Sequence, residues 1–178
     1  AARGGGRGAA WAVIPGVLHA DAAWGGGTTE YALEAIKCAA EGELDGAARR
    51  RFACPVPLDT ALPMIWRDDL AAALVALTDA RALAEPDGGY AVAGFSFTPR
   101  ELFAAIRRTR APAFEADDDS AESGAAAAFA ALWPDTLSGA EARRDLGFAP
   151  TTGLDDAVRA IFDAHVERAA GKAAAGKT

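Results

Sequence analysis

Gly25-Gly26-Gly27-Thr28-Thr29-Glu30-Tyr31-Ala32 is the stretch around which the rest of the chain can be ordered. It follows a Pro15-Gly16-Val17 turn and leads into Thr29 to Ala40, where Tyr31, Leu33, Ile36, Ala39 and Ala40 fall at roughly helical spacing. Consecutive glycines admit backbone shapes that other residues resist. Thr28 and Thr29 place hydroxyls where the helix would begin, beside N–H groups that lack intrahelical partners. A helix start of that kind can seat a small carboxylate. It can equally be a plain capped helix, and these residues alone do not choose between the two.

Outward from this stretch, short apolar runs alternate with helical patterns. Trp11 to Ile14 reads as a buried strand ending at Pro15. Arg51 to Val56, Leu62 to Trp66, Tyr90 to Ala93 and Ala113 to Glu115 read as further strands. Helices are expected over Asp68 to Thr78, Pro99 to about Arg108 and Glu122 to Trp133. A last one runs from Leu154 to Ala169, with Leu154, Val158, Ile161, Phe162 and Val166 on one face. Thr98-Pro99-Arg100-Glu101 is a capping box with proline at the first helical position. Ser138-Gly139-Ala140-Glu141 is a second such box, opening a short helix that Gly147 closes. Mixed strands and helices give an α/β class. Three parts are expected: a low-complexity start over residues 1–10, a folded portion over 11–168 and a disordered tail over 169–178.

Composition narrows the function. The chain has 178 residues and a formal charge of −7, which argues against phosphate-backbone partners. Its longest basic run, Arg49-Arg50-Arg51, has Glu41, Glu43 and Asp45 close by and reads as a solvated loop. Alanine inflates the 51% apolar share, so a stand-alone core would be thin. Cys38 and Cys54 are too few for a disulfide framework and read as buried thiols in a reducing compartment. No apolar run is long enough to cross a bilayer, and no signal-peptide pattern opens the chain.

Several segments in fixed order carry a resemblance. They are Pro15-Gly16-Val17-Leu18, GGGTTEYALEAI at 25–36, Asp59-Thr60-Ala61-Leu62-Pro63-Met64-Ile65 followed by Asp68-Asp69, and Gly94-Phe95-Ser96-Phe97-Thr98-Pro99. Trp133-Pro134 and Ala142-Arg143-Arg144-Asp145-Leu146-Gly147-Phe148 complete the series. Over about residues 11–168 it resembles the C-terminal half of L-threonine 3-dehydrogenases of the extended short-chain dehydrogenase/reductase (epimerase/dehydratase) type. The resemblance implies late strands of a Rossmann-like sheet plus a smaller substrate-binding lobe, and without the rest of that sheet part of the apolar surface around Trp11 to Ile14 is expected to be uncovered. It implies NAD as cofactor, with Pro15 and Val17 at the nicotinamide end, and L-threonine as substrate at Thr28, Thr29, Glu30 and Trp133. The reaction would move hydride from the hydroxyl carbon of threonine to NAD, giving 2-amino-3-oxobutyrate. Members are commonly dimers through helices of the other half, so a homodimer is expected only with that half. Compartment stays open between cytosol and mitochondrial matrix.

Departures from the family pattern matter. Glu30 stands where the family has Asp, Val13 and Ile14 replace an Arg-aromatic pair, and no Tyr-x-x-x-Lys pair is present: Ala35 lies four residues past Tyr31 and Gly94 four past Tyr90. No catalytic residue is therefore assigned. His19 is expected to be structural and His165 solvated, and no metal site is expected. Gly171-Lys172-Ala173-Ala174-Ala175-Gly176-Lys177-Thr178 spells a phosphate-loop motif, but a helix precedes it and no helix follows to hold the phosphate. Gly4-Gly5-Gly6-Arg7-Gly8-Ala9 lacks the preceding strand that a dinucleotide fingerprint needs. Three readings remain: the substrate half of a threonine dehydrogenase, inactive alone; a non-catalytic remnant binding a small acid or a partner; and a sugar-nucleotide epimerase or dehydratase of the same superfamily.

Overall fold

The structure, a computed structural model, describes residues 10–21, 29–45, 51–78, 89–117 and 124–175. Gly25 to Thr28 lie outside them, so the glycine loop and Thr28 have no structural account. The chain is α/β, as expected. Seven strands are described: β1 (Trp11–Val13), β2 (Gly16–Leu18), β3 (Arg51–Phe52), β4 (Leu62–Trp66), β5 (Gly89–Ala91), β6 (Phe95–Phe97) and β7 (Glu115–Ala116). They form three small sheets, with orders β1-β5, β2-β4-β6 and β3-β7, all parallel except β4 against β6.

Strand β4 lies at the centre of the fold, and its period-two alternation sends side chains to opposite faces. Leu62 and Met64 join one core cluster and Ile65 joins the other. Pro63 lies where β4 has only β6 beside it, before the β2 register begins at Met64. A proline is tolerated there because no second ladder needs its N–H. The chain steps twice from the β1-β5 sheet to the β2-β4-β6 sheet, at Pro15–Gly16 and at Val92–Gly94. Each step brings a glycine against β4: Gly16 against the Met64 side chain, and Gly94 against the Met64 carbonyl and the Ile65 Cα. Close approach of backbone is what these glycines supply.

One face is built from α1 (Glu30–Asp45), α3 (Pro99–Thr109) and α6 (Leu154–Ala175), which pack together on the larger cluster. Small residues on their buried sides, Ala32, Ala35, Ala39, Ala105 and Ala157 among them, let the helices approach closely. Phe103 meets Phe52 and Phe114 edge-on, with ring centroids 6.0 and 5.7 Å apart. Arg110 binds both carboxylate oxygens of Asp163, at 2.7 and 2.6 Å, and clips α3 to α6. On the other face α2 (Arg67–Thr78) and α5 (Ala140–Leu146) cover the smaller cluster of Ile65, Ala73, Tyr90, Val92, Ala142 and Phe148. A short helix, α4 (Ala125–Ala130), leads to Trp133.

The Thr98 box forms as expected: its hydroxyl oxygen accepts from the Glu101 N–H, and the Glu101 carboxylate accepts from the Thr98 N–H. The Ser138 box does not. The residue before α5 is Gly139, which has no capping side chain, and Ser138 Oγ reaches only the Ala140 N–H at 3.4 Å. Gly147 does close α5, in the left-handed region at φ 64°. Pairing in β3 stops at Phe52, well before Val56, because Pro55 and Pro57 cannot donate to a ladder. The last helix runs to Ala175, past the expected end at Ala169, and takes Gly171 to Ala175 of the phosphate-loop look-alike into its own turns. Trp11 to Val13 is a strand, and its apolar surface is uncovered, as expected without the rest of the sheet: Trp11, Val13 and Ile14 are 56%, 50% and 44% exposed. Ala12 faces the smaller cluster, so Trp11 and Val13 lie on the opposite side of the β1-β5 pair.

Candidate functional site

The segment expected to turn at Pro15-Gly16-Val17 continues as strand, because Gly16 and Val17 find parallel partners in Met64 and Ile65. Pro15 is the buried step between the sheets. Val17 is half-buried, with its side chain against the smaller cluster. Strand β2 is an edge among the described residues, and an edge presents unpaired backbone groups.

Thr29 comes to the same place from the other direction. Its carbonyl accepts the first helical hydrogen bond of α1, from the Ala32 N–H at 3.3 Å, and its side chain lies over Gly16. A Cβ built on Gly16 would stand 2.5 Å from Thr29 Cγ2, 2.5 Å from Met64 Sδ and 2.9 Å from Thr29 Cβ. The space freed by this glycine therefore serves packing with Thr29 and Met64. Glu30 follows, half-buried in the first turn of α1, where the helix dipole favours an acid. Trp133 is half-buried just past α4 and packs on the same large cluster that receives Tyr31 and Met64.

The loop leaving β2 is held at its base. Arg67, at the start of α2, pairs with Asp21, and Arg168 of α6 donates to the Ala20 carbonyl at 2.8 Å. The Arg67 guanidinium lowers the pKa of Asp21. His19 has a buried Nδ1 with no hydrogen-bond partner. His165 is not simply solvated as expected. It is half-buried between α6 and α1, 3.9 Å from Glu41, and burial lowers its pKa against the opposing pull of Glu41.

Tyr31 does not suit proton abstraction, which calls for a pKa near the working pH. Tyr31 and Tyr90 are both buried. Burial first, then the neighbouring Cys54 and Glu101, push the Tyr31 hydroxyl far above its ordinary range, and it lacks a hydrogen-bond partner. An unpartnered buried hydroxyl costs about 1–3 kcal/mol. Tyr31→Phe should accordingly unfold at equal or higher urea concentration than the wild type. A loss of about 1 kcal/mol or more would show that the hydroxyl is satisfied.

Sequence reading missed one carboxylate that the fold uses fully. Asp69, buried in the first turn of α2, accepts from the Thr151 N–H at 3.0 Å, the Thr151 hydroxyl at 2.8 Å and the Thr152 N–H at 3.0 Å. Burial would raise its pKa, but these donors outweigh it and leave the carboxyl lowered. Asp68-Asp69 gave the signal as a motif, without the partner 82 residues away.

No family model matches the chain. It is 32% identical over 153 residues to the mitochondrial L-threonine 3-dehydrogenase of Sus scrofa, covering 85% of this chain and 38% of that protein. The apo form of a GalE-like L-threonine dehydrogenase from Cupriavidus necator matches at a TM-score of 0.73 and 32% identity, over 84% of this chain and 50% of that one. The chain is a relative of the L-threonine 3-dehydrogenases. It spans about half of the dehydrogenase length or less, and its small sheets and helices match that portion, in accord with a C-terminal half. An uncharacterized epimerase/dehydratase of Staphylococcus haemolyticus is also similar, 28% identical over 142 residues, 79% of this chain and 42% of that protein. The threonine dehydrogenase resemblance and the epimerase/dehydratase type thus both stand. No helix among the described residues is long and apolar enough to cross a membrane.

Proposed function

We propose that residues 11–168 are the amino-acid-recognising portion of an NAD-dependent L-threonine 3-dehydrogenase. The observation that carries this reading is the packing of Thr29 on Gly16, which joins the start of α1 to the edge of β2. Hydride transfer requires the reacting atoms to be held about 3–3.5 Å apart. The packing of a proposed substrate-side residue on a proposed cofactor-side strand supports such a geometry.

In this reading Thr28, Thr29 and the N–H groups opening α1 hold the substrate carboxylate, Glu30 balances the ammonium, and Trp133 walls the pocket. NAD, when bound, supplies the hydride acceptor, with backbone at Pro15 and Val17 meeting its nicotinamide end. Taking the proton from the substrate hydroxyl falls to a residue outside this sequence, since Tyr31 and Tyr90 are buried and neither has lysine four positions on. Cytosol and mitochondrial matrix both suit such an enzyme portion, and a homodimer would form only together with the other half.

The burial of both tyrosines gives a second reading some support, that of a non-catalytic module binding a small acid. The Staphylococcus relative keeps a sugar-nucleotide epimerase or dehydratase in view. Calorimetric titration of the 178-residue chain with L-threonine and with UDP-glucose separates the epimerase from the two amino-acid-binding readings, and NADH formation by the chain joined to a nucleotide-binding half separates those two. Saturable heat with L-threonine alone is expected. Heat with UDP-glucose alone would favour the epimerase, and heat with neither would contradict threonine recognition.

A further inference from the structure

Three atoms set the geometry at Thr29. Its methyl and the Met64 sulfur crowd the same face of Gly16, and Met64 is fully buried. From the other side Gly94 abuts the Met64 carbonyl and the Ile65 Cα so closely that a Cβ on residue 94 would overlap both, which leaves β4 no room to retreat. A β-branched side chain carries its methyl and hydroxyl on one carbon, so a trapped methyl fixes the hydroxyl direction.

We propose that Met64 is a positioning residue for amino-acid recognition: with Gly16 it traps the Thr29 methyl and so aims the Thr29 hydroxyl. The proposal rests on Thr29 being a carboxylate contact. It assigns Met64 a role beyond core filling, through a residue that shares the face of Gly16 with it.

The test is calorimetry of L-threonine binding to the full 178-residue chain, with the thermal midpoint of each variant measured in parallel. Thr29→Val keeps the methyl and loses the hydroxyl, and it should weaken binding about tenfold or more, the usual loss for a hydrogen bond to a charged group. Thr29→Ser keeps the hydroxyl and frees it, and Met64→Ala frees it from the other side. Each should weaken binding several-fold. The double variant Thr29→Ser/Met64→Ala should bind no more weakly than the worse single, because both release the same rotor. A merely structural methionine would lower the midpoint and leave the affinity of the folded chain unchanged. Should Met64→Ala fail to fold, Met64→Val, which removes the atom at the sulfur position with a smaller loss of volume, carries the same comparison.

Wild-type binding with unchanged affinity in the methionine variants, or single effects that multiply in the double variant, would overturn the role of Met64 while leaving Thr29 as a contact. Absence of wild-type binding would instead remove the Thr29 reading, and this proposal with it.

Discussion

Given L-threonine and NAD, the purified 178-residue chain should yield no NADH above a protein-free control. Oxidising a secondary alcohol requires both a hydride acceptor held against the carbon and a base for the hydroxyl proton. Well-placed general bases contribute typically ~10²–10⁴-fold, and fixed geometry contributes effective molarities of about 10⁵–10⁸ M. Both tyrosines are buried, and neither has lysine four positions on. Tyr31 is displaced in the wrong direction by burial, and its position four before Ala35 gives it no lysine to reverse the shift. Threonine-dependent NADH production would mean that another group in these residues takes the proton.

The largest stability effect is expected at Asp69. Its carboxylate accepts three hydrogen bonds from Thr151 and Thr152, and these tie the start of α2 to the segment entering α6. Asp69→Asn replaces one acceptor oxygen with a donor that faces N–H or O–H groups already pointing at it. The cost should be roughly 2–3 kcal/mol, the scale for hydrogen bonds to a charged group left unmade. A pH dependence accompanies it. The folded pKa is lowered, so the stabilisation is fully present above the unfolded value of about 4 and is lost as pH falls through the folded value. Urea midpoints of wild type and Asp69→Asn should differ clearly at neutral pH and converge in acid. A constant gap across that range would mean that the carboxylate charge is not what the threonine residues read.

What the sequence discloses and what it withholds divide along the range of the interactions. Leu62 to Trp66, the Thr98 box and the stop at Gly147 depend on neighbours within a few residues, and each forms as read. The Ser138 box satisfies the same local pattern, yet the chain caps at Gly139, which lies against Ala93 and is placed by that contact. Pairing across the chain decides the rest. Gly16 and Val17 look like a turn because proline precedes glycine, but β4 recruits them into a strand. Trp11 and Val13 look buried because they are apolar, although parallel strands are normally covered on both faces and this pair is covered by α2 and α5 on one. Of the proposed site, Thr29 and Glu30 stand out in the sequence through the glycine run and the helix it opens. Met64 sits in an apolar strand, and nothing linear announces that its sulfur shares the face of Gly16 with Thr29. His165 sits among charges in the sequence, and only the packing of α6 on α1 shows its burial.

The bare face around Trp11, Val13 and Ile14 gives the account its most direct test, because on the proposed function it is where a nucleotide-binding half would join. Residues 11–168 can be exchanged for the matching portion of the Cupriavidus necator enzyme, and the chimera assayed for L-threonine-dependent NADH formation. Turnover is predicted, rising with Glu30→Asp, which draws the carboxylate back by about one carbon–carbon bond, a displacement of the size that upsets positioning. A folded chimera that binds NAD yet forms no NADH with threonine, with either residue at position 30, would contradict the claim that this chain recognises the amino acid.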